Sequence, residues 1–181
     1  MTFSPQIEQV IKKVARHTGI LYRIRDYLPP KARLDYYYAF IYPYLSYIIF
    51  WRSAYDTYLS PLIVQHKHTI RTLSNAGYRE HTNPLFKQLG LLKFPDIYKF
   101  HLLVYMFKAM SKGEYAPLHN LSTRNRYLAV PVYYNLTSAR KAVSFAGPKS
   151  WNELPLSLRN IQRLKPFKKA LKKYLLDQYM E

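Results

Sequence analysis

The residues that could do chemistry in this chain are few and scattered. Phosphate-ester chemistry at a two-metal site needs clustered carboxylates holding two divalent ions about 4 Å apart. The ten Asp and Glu residues, from Glu8, Asp26 and Asp35 through Asp96 to Asp177 and Glu181, stand singly and no two are adjacent. His66 and His68 are two residues apart, a spacing that turns their rings to different sides of a helix and makes a weak metal pair. There is no cysteine, which removes thiol nucleophiles, disulfides and Cys-containing zinc sites together. The five glycines are dispersed, so no glycine-rich loop cradles a phosphate, and no serine sits in a nucleophile elbow. The chain is therefore expected to be no enzyme by itself and to carry no metal or cofactor.

What it offers instead is positive charge. Twenty-eight Lys and Arg against ten acids give a formal charge of +18. Self-repulsion of that size opposes folding unless a polyanion relieves it, which makes nucleic acid the first partner to consider and an anionic membrane surface the second. Two groups of cations fall on helical spacing: Lys12, Lys13, Arg16, Arg23 and Arg25 near the start, and Lys168, Lys169, Lys172 and Lys173 near the end. No acid lies between Glu153 and Asp177.

The elements that must position these cations are mostly helices. Ser4-Pro5 reads as a helix start, and Ile7, Val10, Ile11 and Val14 recur at helical spacing until Gly19 can close the helix. A second short helix is expected up to Pro29 and Pro30, with Leu21, Ile24 and Leu28 inward and Arg23 and Arg25 outward. The stretch YYYAFIYPYLSYIIFW, Tyr36 to Trp51, is uncharged but shorter than the roughly 20 apolar residues a bilayer requires. With its tyrosine hydroxyls and Pro43 it reads as a central buried helix or kinked helix pair, apolar on all sides, and no transmembrane segment is expected. Stacking of its tyrosines on bases is the competing use. Leu59, Leu62, Ile63, His66, Ile70 and Leu73 mark another amphipathic helix, with Gln65, His68 and Arg71 off its buried face. A short helix capped by Thr82 and stopped by Gly90 follows, then a long apolar one ending at Gly113.

Beyond Gly113 the β-branched and aromatic residues between turn signals suggest a small β-hairpin or irregular segment near 127–146, with strands at 127–133 and 141–145. A last helix begins with Pro166 at its first position. Phe167, Ala170, Leu171, Tyr174 and Leu175 make its apolar face, and Lys168, Lys169, Lys172 and Lys173 the opposite one. The fold class is mainly α, divided into a helical region, 1–113, and a mixed segment, 114–181.

Taken in order, KKVARHTGILYRIRDYLP, LDYYYAFIYPYLSY, FW, HKHTIRTL, NPLFKQLGLLKFPDIYKF, TRNRYLAVP, SFAGPKSWNELP and FKKALKKYLL resemble the C-terminal part of the reverse transcriptases of non-LTR retrotransposons, the jockey-like elements and their relatives. The resemblance runs over almost the whole chain and covers the thumb and the segment after it. It implies an RNA-directed DNA polymerase whose fingers and palm lie upstream, and whose catalytic Tyr/Phe-x-Asp-Asp motif has no match here, so no catalytic residue is carried over. Two positions depart from the family: members generally have Gly after the tryptophan that matches Trp51 and often an acid before it, where this chain has Arg52 and Phe50. The Cys/His knuckle of some relatives also has no counterpart.

The expected function is that of a noncatalytic, nucleic-acid-gripping fragment of such a polymerase, binding RNA, DNA or an RNA–DNA hybrid through the nine cations named above, with the upstream polymerase domains as further partners. A thumb holds template and primer by phosphate contacts, which need cations on one face. The alternative is a basic membrane-surface or protein-interaction module built on the Lys-rich last helix. Met1 falls where a thumb would begin, and the first residues lack the features of a signal peptide, so nucleus or cytoplasm is the expected location.

Overall fold

A computed structural model of the chain describes residues 4–47, 56–114 and 143–179. The described secondary structure is helical throughout, as a mainly α fold requires. Its contacts gather into two units, one drawn from Met1–Ile97 and Leu175–Glu181, the other from Tyr98–Tyr174.

In the first unit, helix α1 spans Ser4–Ile24 without a break. Gly19 does not close it, because the buried stripe Ile7, Val10, Val14, Thr18 and Leu21 continues past it. That burial outweighs the roughly 1 kcal/mol a mid-helix glycine costs. A 3₁₀ turn, Arg25–Tyr27, leads to α2, Pro30–Tyr36, a π-helical turn, Tyr37–Ile41, and α3, Tyr42–Ser46. The π turn lies where the ring of Pro43 would otherwise meet the carbonyl four residues back, that of Ala39. The tyrosine-rich stretch is thus interrupted by a π turn, and it is not surrounded. Tyr37, Ile41 and Leu45 form one buried stripe while Tyr38 and Phe40 face solvent. Residues 48–51 of that stretch lie outside the described residues.

Helix α4, Asp56–Ser74, packs on α1 and buries Leu59, Leu62, His66, Ile70 and Leu73. Between the two helices the hydroxyls of Thr18 and Thr69 meet at 2.8 Å. Asn75, at φ 54, ends α4 in the left-handed conformation, and the Ala76 N–H returns to the Arg71 carbonyl, the bond that closes a Schellman motif. Helix α5, Thr82–Leu89, packs on α4. Its cap is His81, not Thr82, which is buried inside the first turn, and Gly90 at φ 61 stops it as expected. Tyr179 donates to Asp96 (2.6 Å) and accepts from the Lys93 N–H (2.7 Å), pinning the chain's end to the start of the next helix.

That helix, α6, Phe94–Ser111, is the one among the described helices that is buried nearly all round, with Ile97, Leu102, Leu103, Met106, Phe107 and Ala109 inside. In the second unit it meets α7, Val143–Asn152, and α8, Leu156–Arg159, is followed by α9, Leu164–Asp177, which meets α6 through Phe167. The hairpin expected near 127–146 needs correction where it is described: residues 143–145 open α7. Residues 127–133 and 141–142 lie outside the described residues. The β propensity of Val143 and Phe145 gives way because Gly147, Pro148 and Trp151 are buried at helical spacing, one wall of the unit's aromatic core. Phe107 and Phe167 stack there at 4.5 Å, with Trp151 5.8 Å from Phe167.

Candidate nucleic-acid interface

The stripe that docks α1 on α4 dictates which residues its other side presents. On a 3.6-residue helix Lys12, Arg16 and Arg23 fall within roughly 40° of one another, along about 16 Å of axis. All three are exposed and lie opposite the buried stripe. Glu8, one turn before Lys12, is the single acid of α1. Lys13 is exposed on one flank, its ammonium 5.5 Å above the ring of Tyr44. Arg25 departs from the outward placement expected for it. It leaves α1 in the 3₁₀ turn, is largely buried, holds its guanidinium 4.2 Å from the ring of Tyr22, and lines a groove between α1 and α4 instead of extending the ridge.

Next to the Lys13 flank stands a row of rings. Tyr36, Phe40 and Tyr44 follow one another every four residues, a spacing that puts them on one side of α2, the π turn and α3. His17 stacks on Phe40 (5.5 Å between centroids, 18° between planes) and on Tyr44 (6.0 Å, 26°), and its Nδ1 hydrogen-bonds the Tyr36 hydroxyl at 3.1 Å. Burial and then the positive charge of Arg16 push the His17 pKa down. Phe40 remains 48% exposed. The surface therefore combines cations that suit phosphates with aromatic faces that suit bases. The spacing of four was readable in the sequence; that His17 would sit among these rings was not.

In the second unit α9 turns Phe167 and Leu171 inward, fully buried, and Leu175 beyond them is buried too. The helix begins two residues before Pro166, which occupies its third position, still inside the first turn where the missing N–H has no partner to lose. Lys169 and Lys173 point directly away from the buried side. Lys168 and Lys172 lie on its flank, where Lys168, after burial, helps push the pKa of His101 on α6 down. Lys165, exposed on the same outer side, joins the group. With Phe167, Leu171 and Leu175 buried, α9 has no apolar face to offer an acyl layer.

Among the described residues no three His, Cys, Asp or Glu side chains converge on a metal-sized site, and no helix is long and apolar enough to cross a membrane. In comparisons with known proteins, no family model, no curated protein and no solved structure matches the chain.

Proposed function

We propose that the chain is a noncatalytic nucleic-acid-binding module that grips the sugar–phosphate backbone of RNA, DNA or an RNA–DNA hybrid, in the manner of the thumb and post-thumb part of the non-LTR reverse transcriptases it resembles. The observation that carries this reading is the outer ridge of α1. Lys12, Arg16 and Arg23 are exposed on one line, and residues 9–25 include no Asp or Glu. A surface of this kind binds by displacing condensed counterions, so it fixes a strand without reading its sequence.

Fluorescence anisotropy of a labelled single-stranded RNA across a salt series tests it. Affinity is expected to fall steeply with salt. Replacing Lys12, Arg16 and Arg23 by glutamine should lower the magnitude of the log–log slope by about 2, since each phosphate contact on a single strand contributes about 0.7. Folded protein that binds no nucleic acid at low salt, or binds it independently of salt, would overturn the proposal.

A further inference from the structure

The side of α1 away from Lys13 opens on a groove that the cationic ridge does not explain. It lies between α1 and α4, is closed at one end by the turn at 75–80, and encloses about 630 Å³, within the size range of small-molecule sites. Tyr22, Arg25, Gln65, His68, Arg71 and Tyr78 line it. Two of these are aromatic rings left largely in water: Tyr22 is 57% and Tyr78 is 76% exposed. Each is held by a neighbour, Tyr22 by the Arg25 guanidinium at 4.2 Å and Tyr78 by the His68 ring at 5.2 Å.

The cations beside these rings are fixed as well. Arg71 donates Nε–H to the Glu80 carbonyl at 2.9 Å, which anchors its guanidinium plane at the groove. Arg25 keeps a buried Nε without a hydrogen-bond partner, 3.7 Å from the Asp26 carboxylate. The second nearby acid, Glu80, is engaged in accepting the Gly77 N–H at 3.1 Å. Rings that are exposed, concave in setting and backed by arginine are poor for stability, since nothing apolar covers them. They are well suited to receive a flat, polar-edged aromatic ligand whose phosphate can meet the guanidinium groups. Gly19 lines the same groove and lies on the ridge beside Lys12, Arg16 and Arg23, so a strand following the ridge passes the groove's lip.

We infer that this groove is a single-strand subsite that takes one unpaired base of RNA or DNA onto Tyr22 and Tyr78, with the adjoining phosphate on Arg25 and Arg71. The inference rests on the proposed nucleic-acid reading and adds to it a preference for unpaired over duplex strands.

The test compares a labelled 12-nucleotide single-stranded RNA with a blunt duplex of the same sequence, on the full chain. The double substitution Tyr22→Ala and Tyr78→Ala should weaken single-strand binding about ten- to a hundredfold. It should leave duplex binding and the salt slope as they were, and Tyr22→Phe with Tyr78→Phe should restore the single-strand affinity. Tyr78→Ala alone, on an exposed turn, gives a smaller loss of the same kind and serves if the double variant does not fold. Unchanged single-strand affinity, or equal losses for both probes, overturns the subsite while the cationic ridge stands. Failure of the unsubstituted chain to bind either probe removes both readings.

Discussion

His66 shows how much a single buried polar side chain can set. It is wholly enclosed between Tyr37, which hydrogen-bonds its Nε2 at 3.0 Å, and the edge-on ring of Phe86, while its Nδ1 has no partner. Burial pushes its pKa down to about 3. The unfolded chain takes up this proton near pH 6.5 and the folded one only near 3, so the stabilisation is complete above 6.5 and is lost as pH falls between the two values. By pH 4.5 this one group is expected to cost at most about 3 kcal/mol. Thermal unfolding between pH 7 and 4.5 should show that fall, and His66→Gln, which cannot titrate, should flatten it. An unchanged midpoint in the parent protein would refute the assignment. From the sequence His66 read as one position of a buried stripe. Its pairing with Tyr37 depended on α4 packing beside the π turn, and spacing along one helix does not reveal that.

At the scale of the element, α7 illustrates a helix chosen by its neighbours. Its residues include Val, Phe, Gly and Pro, none of them strong helix formers. It forms because Gly147 lets its backbone approach α6. A Cβ built on Gly147 would sit 2.6 Å from the Met106 sulfur and 3.1 Å from Met106 Cγ, so the buried Met106 side chain must shift to admit a methyl group. Gly147→Ala is therefore expected to destabilise the protein by about 1–3 kcal/mol. Chemical denaturation would measure this, and a neutral or stabilising result would mean that α6 and α7 are less tightly apposed than described. The same residue explains part of the segment SFAGPKSWNELP in packing terms, since Gly147, Pro148, Trp151 and Leu154 are all buried.

For the molecule as a whole, the central quantity is a charge of +18. Replacing Lys168, Lys169, Lys172 and Lys173 by glutamine removes four charges, to +14, and two like-charged i, i+4 pairs worth a few tenths of a kcal/mol each. Thermal stability should stay level or rise slightly, while RNA affinity falls to a similar extent across sequences and its salt dependence flattens. Loss of stability with retained affinity would make those lysines structural. This expectation rests on features legible in the sequence: the excess of cations, the absence of clustered carboxylates and cysteine, and the stripes of α1, α4 and α9, all of which follow from side-chain type and helical period. Other features required the folded chain. Whether Gly19 ended a helix was a contest between local propensity and distant burial, and burial of Leu21 won. Which apolar helix would be surrounded depended on its partners, so α6 took that place and the tyrosine-rich helix kept one face in water. Arg25 lies about 200° around the helix from Arg23, off the ridge, and lines the groove between α1 and α4. The groove itself joins Tyr22 to Tyr78 across α1 and α4, and only tertiary packing, which is non-local, could bring those two rings to one site.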